Sequence, residues 1–260
     1  YENIALFKVG PNILGYIDAY NNFKIFYQGK VIELEQQGAE VFFGERSFEP
    51  NDLIRRDSNG NGNATQPSNK DWGYIQFNSA PNVTNTFEHC IVRYGGYYST
   101  NYSSSSRYSM IWVYSPDKAY DDVTIRNCTI ENTYGDGIYV SGYAEPVIED
   151  NTIKNCGSSG VEIDTDGILT NLSPVIRDNH IENNGYGINS KGDDQYSLKP
   201  VIEGNTLSFN TYALAQENFS FPSYSGNTIS SNTFQTISVS GIINPAFFST
   251  EFWPDVEGLG

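Results

Sequence analysis

Apolar residues recur along this chain in short alternating runs, each broken by Asn, Gly or Asp. Strand side chains alternate faces with a period of two, so runs such as VTIRNCTI, VIEDNTI and VIRDNHI read as pairs of short strands bent at the Asn or Cys. A third run follows each pair after a Gly-containing turn: GIYVSG, GVEIDT, GINSKG, YALAQE and TISVSG, with GYIQFN and MIWVYS upstream. Before residue 70 the pattern is less regular: KIFYQGKVIELEQQGAEVFF alternates well enough for further strands, and no amphipathic capping helix is evident.

The runs align in columns. Ile125, Ile148, Ile176, Ile202 and Tyr224 share one column, at spacings of 23, 28, 26 and 22 residues. Three positions on stand Cys128, Asn151, Asn179, Asn205 and Asn227, and two further on Ile130, Ile153, Ile181, Leu207 and Ile229. FEHCIVRY is an earlier, divergent copy that contributes Phe87, Cys90 and Val92. A repeat of roughly 20–30 residues with a fixed apolar pattern signals a solenoid. There is no leucine consensus, and propeller blades are longer, so three short strands per coil predict an all-β, triangular parallel β-helix. Coils stacked about 4.7–4.9 Å apart set equivalent side chains in ladders. An Asn in a bend can then pass amide hydrogen bonds from coil to coil. Cys90 and Cys128 stand where later coils carry Asn, leaving two readings, a disulfide or buried free thiols, and parallel in-register Cβ atoms favour the thiols. Cys156 has no evident partner.

Composition narrows the setting. The 260 residues hold 19 Tyr, 15 Phe and a single Met, and the net charge is −16. Such acidity argues against nucleic-acid binding, fits a solvated extracellular surface and cation binding, and repels acidic polysaccharides unless a cation bridges them. No apolar run approaches the length of a membrane-spanning helix. The chain begins at Tyr1 without Met or signal peptide and reads as a processed or excised piece. Six Asn-X-Ser/Thr sequons, at Asn63, Asn82, Asn101, Asn127, Asn171 and Asn218, permit glycosylation without showing it. The expected organisation is N-terminal strands and an Asn/Gly-rich loop over 1–70 as first coils or cap, β-helix coils over 71–243, and an aromatic tail or cap over 244–260.

The coils resemble the right-handed parallel β-helix repeats of pectate-lyase-like proteins, and WGYIQF…FEHCIVRYGG is similar to segments of secreted microbial surface proteins. The resemblance covers roughly residues 71–240 and implies the right-handed fold. For function it implies only a range, from lyases, hydrolases and epimerases to non-catalytic surface modules.

The third strand carries the candidate chemistry. With Ile75, Ile111, Ile138, Val161, Ile188, Leu214 and Ile237 facing in, the outward column reads Gln76, Trp112, Tyr139, Glu162, Asn189, Ala215 and Ser238. A second outward column reads Asn78, Tyr114, Ser141, Asp164, Lys191, Glu217 and Ser240. Trp112, Tyr114 and Tyr139 should be partly exposed and close together, a platform for sugar rings beside Glu162 and Glu217. An ordinary polar face with an Asp164–Lys191–Glu217 ion ladder fits the same residues. The acids of DTDG (Asp164, Asp166) and GDD (Asp193, Asp194) fall just past this strand on successive coils and superficially resemble the paired acids of polygalacturonase-type hydrolases. Inverting hydrolysis needs two carboxylates roughly 6.5–9.5 Å apart. The match is incomplete: the following coils read ALAQEN and ISVSG where that family carries GHG and RIK. A lyase would need Lys191 as base with calcium bound nearby. Upstream, Asp57, Asn59 and Asn61 before Gly62 mimic part of a calcium loop that Asp71 could close, although position 12 is Ser68.

The expected protein is a secreted or cell-surface structural or adhesive β-helix module that binds glycan and self-assembles through its ends. The alternative is a calcium-dependent polysaccharide lyase or glycoside hydrolase.

Overall fold

The computed structural model describes residues 73–78, 85–96, 108–117, 123–165, 171–192 and 197–241 together with Asn69, and, as backbone strands only, Ala5–Gly10, Ile13–Ile17, Phe23–Tyr27, Lys30–Glu33 and Val41–Phe43. The described residues contain no helix. Three parallel sheets stack into a β-solenoid with three strands per coil.

The first sheet holds Asn85–Glu88, Val123–Arg126, Val147–Glu149, Val175–Arg177, Val201–Glu203 and Ser223–Ser225. The second holds Ile91–Arg93, Thr129–Thr133, Thr152–Cys156, His180–Glu182, Thr206–Ser208 and Thr228–Ser230. The third runs from Ile75–Asn78 through Ser109–Ser115, Asp136–Gly142, Ser159–Asp164, Tyr186–Lys191 and Tyr212–Glu217 to Ser238–Ser240. Val41–Phe43 joins its first strand antiparallel. The strands Ala5–Gly10 to Lys30–Glu33 form a separate antiparallel meander.

Register follows the sequence columns. Phe87, Ile125, Ile148, Ile176, Ile202 and Tyr224 pair in order, as do Val92, Ile130, Ile153, Ile181, Leu207 and Ile229. The inward column of the third sheet runs in register from Ile75 to Leu214. These aliphatic ladders fill the interior, where Ile111, Ile125, Ile138, Ile153 and Ile181 are fully buried. At roughly 25 cal/mol per Å² of apolar surface removed from water, this continuous core is the main force holding coil on coil.

Two bends shape each coil. At the first, between sheets one and two, the predicted amide ladder is present. Asn179 Nδ2 donates to Ile148 O at 2.8 Å and to Asn205 Oδ1 at 3.0 Å, and Asn151 N donates to Asn179 Oδ1 at 3.0 Å. The same pattern runs from Cys128 N, bound to Asn151 Oδ1 at 2.9 Å, down to Asn227. At the second bend, between sheets two and three, stands a ladder that the sequence reading did not identify: Cys156, Asn184, Asn210 and Asn232. Cys156 N donates to Asn184 Oδ1 at 2.9 Å, and Asn210 Nδ2 to Ile181 O at 3.1 Å. The residue before each ladder position is left-handed, including Asp150 (φ 54°), Asp178 (φ 56°), Asn155 (φ 55°), Asn183 (φ 56°) and Phe209 (φ 57°). A left-handed residue turns the chain sharply, and the buried amide accepts and donates for the backbone groups that the turn leaves unpaired. All three cysteines are free and buried, as the thiol reading expects.

Candidate functional site

A groove of about 720 Å³ opens beside the second bend. Tyr108, Tyr134, Asp136, Tyr139, Ser158, Glu162 and Asp164 are among its lining residues, and Asn69 reaches in from upstream. Tyr134 is exposed and meets Tyr108 edge to face at 5.1 Å. Asn69 Nδ2 donates to Thr133 O at 3.1 Å, tying that wall to the bend. Gly135 and Gly157 let the coils approach here: a Cβ on Gly135 would lie 1.5 Å from Tyr108 O, and one on Gly157 2.0 Å from Tyr134 O.

The floor is carboxylate-rich. Ser159 connects two of the acids, its backbone N–H donating to Asp136 Oδ1 at 2.9 Å and its hydroxyl to Glu162 Oε2 at 2.9 Å. Neither acid forms an ion pair among the described residues. Burial, and then the neighbouring Asp136 charge, push the Glu162 carboxyl up to about 7. Burial also raises Asp136, against the hydrogen bonds it accepts from Ser158 and Ser159. Loss of solvent disfavours the charged form of a carboxyl, and a second anion beside it acts in the same direction. Beneath them, burial and the Asp136 charge raise the Cys156 thiol, which leaves it protonated and inert.

The sequence-derived site residues fall into three groups. Glu162, Asp164 and Tyr139 line the groove. Tyr139 is 6% exposed, a correction to the expected partial exposure, with the Trp112 ring tilted beside it on the preceding coil at 6.3 Å between centroids. Its hydroxyl lies 3.4 Å from Asp164 Oδ2. Trp112 and Tyr114 are half-buried, with centroids 5.8 Å apart, and Trp112 Nε1 donates to Ser141 Oγ at 2.7 Å.

Lys191 and Glu217 form the second group, on the next two coils. Lys191 Nζ lies 3.6 Å from Asp164 Oδ2, while Glu217 Oε1 accepts from Asn189 Nδ2 at 3.3 Å. Asp57, Asn59, Asn61, Asp71, Asp166, Asp193 and Asp194 make up the third group and lie outside the described residues. Among the described residues no group of three His, Cys, Asp or Glu is disposed to hold a metal ion.

Sequence reasoning missed Asp136. It shares strand parity with the inward Ile138 and Val140, and alternation therefore assigns it to the interior. Its place at the start of the strand, level with Ser109 on the previous coil, lets it border the groove instead. The visible signal was an acid immediately after Tyr134-Gly135, where the later turns carry Ser159, Tyr186 and Tyr212.

Residues 68–244 match the family described as the right-handed β-helix region. A second, short match, to the helicase HerA-like C-terminal family, spans residues 22–69 and carries no functional assignment. No curated protein and no solved structure matches the chain.

Proposed function

The chain belongs to the right-handed β-helix family, and on that premise we propose that it is a secreted or cell-surface module that binds glycan along its third sheet. The carrying observation is the groove itself, about 720 Å³, with the exposed Tyr134 and its neighbour Tyr108 at its rim and Asp136, Glu162 and Asp164 among its lining residues. Aromatic rings offer flat apolar faces to the C–H side of a sugar, and carboxyl groups accept from and position its hydroxyls. The rigid ladders beneath fix these groups before any ligand arrives, which lowers the ordering cost of binding. The acidity of the whole chain supports an extracellular setting and favours uncharged over acidic glycan unless calcium bridges them. The loop around Asp57, Asn59 and Asn61 remains the proposed calcium ligand set, with weak affinity. Among the described residues Ser223–Ser225, Thr228–Ser230 and Ser238–Ser240 are the last strands of the three sheets, and pairing between copies at that end is part of the same proposal.

The test is titration of neutral and acidic oligosaccharides against the parent chain and Tyr134→Ala, with and without calcium. Tyr134 is 43% exposed, so its truncation should leave the fold intact while weakening binding about tenfold or more. Equal affinities for parent and variant would remove the groove as the binding surface.

A hydrolytic role for the same groove is a second reading, favoured by the raised Glu162: a carboxyl still protonated near neutral pH is a proton donor for a leaving oxygen. Release of new reducing ends from a polysaccharide by the parent, abolished in Glu162→Gln, would establish it. Intact substrate after prolonged incubation would leave binding alone.

A further inference from the structure

Three observations at the groove floor bear on one another. Asp136 and Glu162 are drawn together by a single residue, Ser159, and neither has a cationic partner among the described residues. Among the described residues the nearby ammonium, Lys191, is directed at Asp164 instead. Asn189 stands next to Glu162 in register on the following coil and is 5% exposed, and its Oδ1 has no hydrogen-bond partner. A buried acceptor without a donor is costly. Its amide nitrogen donates to Glu217 Oε1 at 3.3 Å and also bonds Glu162, where it favours the charged form against the larger effect of burial. A protonated Glu162, or a ligand hydroxyl seated against it, is the donor this acceptor lacks.

We propose that the groove is proton-gated: Asp136 and Glu162 hold one proton between them across Ser159, and an uncharged, hydroxyl-rich sugar is taken up only while that proton is present. This rests on the glycan reading of the groove and adds its regulation. With the proton in place, Glu162 donates to a ligand oxygen or to Asn189 Oδ1, and a sugar closing the groove seals in one anion of the pair. Without it, the same closure strips water from two adjacent carboxylates, a cost that contacts with a neutral sugar do not offset. Uptake of ligand is therefore coupled to uptake of a proton.

The groups that face Glu162 among the described residues fit a shared proton. Asp136 and Tyr139 face Glu162 from the preceding strand, Asp164 from its own, and Lys191 and Asn189 from the next. Glu217 acts only through Asn189. Cys156 stays protonated beneath Asp136, and Tyr108 and Tyr134 form the rim. Lys191 pairs with Asp164, whose charge still adds to the rise of Glu162, and the Asp136–Glu162 pair has no cation of its own among the described residues. Burial first, and then Asp136, hold Glu162 to a midpoint of about 7. The donor form predominates below that value and is lost above it.

The experiment has a ligand-free arm and a binding arm. Carbon-detected NMR on carboxyl-labelled protein follows Glu162 across the pH range. A midpoint near neutrality in the parent, falling toward the ordinary carboxylate range in Asp136→Asn, supports proton sharing. A midpoint already in the ordinary range overturns it. In the second arm, cellohexaose, mannohexaose and a β-linked galactohexaose are titrated by calorimetry at about pH 5.5 and about pH 8.5. The expected result is a loss of about tenfold or more in affinity at the higher pH for the sugar that binds, with proton uptake from the buffer. Glu162→Gln, neutral at every pH, should bind with a flat profile. Binding of equal strength at both pH values overturns the gate and leaves the glycan reading standing. Binding of no sugar at either pH overturns both.

Discussion

The two bends of each coil solve the same problem and differ in where their amide ladders begin. At the first bend asparagine enters at Asn151, on the coil that also carries Cys156 at the second bend. At the second bend it enters one coil later, at Asn184, with Cys156 and Thr133 in the preceding positions. The groove lies against those two coils, outside Thr133–Asp136 and Cys156–Ser159. The left-handed residues differ as well: the first bend uses His89, Asn127, Asp150, Asp178, Gly204 and Gly226, while the second uses Tyr94, Asn132, Asn155, Asn183, Phe209 and Ser231. From Asn127 on, the first bend uses only Asn, Asp and Gly as its left-handed residues and serves the scaffold. The second tolerates substitutions, and it is there that aromatic and acidic groups gather. Regular backbone satisfaction and a binding surface compete for the same positions, and here they are divided between the two bends.

The comparison can be broken at its tightest contact first. Gly135→Val places a side chain within bonding distance of Tyr108 backbone, so it should cost about 4 kcal/mol or more and collapse the groove side of the second bend. A melting temperature within a few degrees of the parent would show that the coils there are not in close contact. Next come the ladders themselves. Asn179→Leu removes donors to Ile148 O and Arg177 O and an acceptor for Asn151 N, and should destabilise by roughly 1–3 kcal/mol in denaturant titration. Asn210→Leu, in the ladder missed by sequence reading, should cost a comparable amount, because it bonds Asn232 Oδ1 and Ile181 O in the same way. An unaffected Asn210→Leu would deny the second ladder its structural role.

Acidity separates the bends more gently. Glu162 has a folded-state midpoint raised to about 7 by burial and by Asp136, so the folded form binds a proton that the unfolded chain has already released. The stability contributed is full below the ordinary carboxylate range and is lost as pH rises through about 7, on the order of 1–3 kcal/mol. Glu162→Gln should flatten that slope, whereas Asn179→Leu should lower stability at every pH without changing it. The smallest effect concerns Phe209, left-handed and 59% exposed at a position where other coils place Asn. Phe209→Asn should stabilise by about 0.5–1 kcal/mol, since Asn accepts that conformation more readily and less apolar surface meets water. A loss instead would mean that the ring has a contact to keep.

The sheets and the first ladder were legible because both leave periodic marks: Ile, Val and Leu at fixed offsets, and Asn three positions after the Ile. The second ladder was equally regular, five residues behind the first at Asn184, Asn210 and Asn232. It was obscured because Cys156 and Thr133 occupy its early positions and because the flanking residues change from coil to coil. Glu162 and Asp164 were legible as outward acids, whereas Asp136 was not. Its neighbourhood is made by burial and by the Ser159 bridge between coils, and neither is a property of spacing along the chain.

The amide ladders also determine where this chain can change length. From the first-sheet column to the third-sheet column the count barely varies: Ile125 to Ile138, Ile148 to Val161, Ile176 to Ile188 and Ile202 to Leu214. From the third sheet to the next first strand it stretches, from Ile138–Ile148 to the longer Val161–Ile176 and Ile188–Ile202, and then shortens again at Leu214–Tyr224. Two of the three edges of the prism are held to length by amide ladders, whereas the third, bridged at Leu172, Leu198 and Ser220, varies in length. Insertions are therefore tolerated along one seam of the solenoid. Peptides grafted after Asp164 or Gly192 should be displayed on that single line without disturbing the stack, and duplication of a whole coil should extend it by one turn.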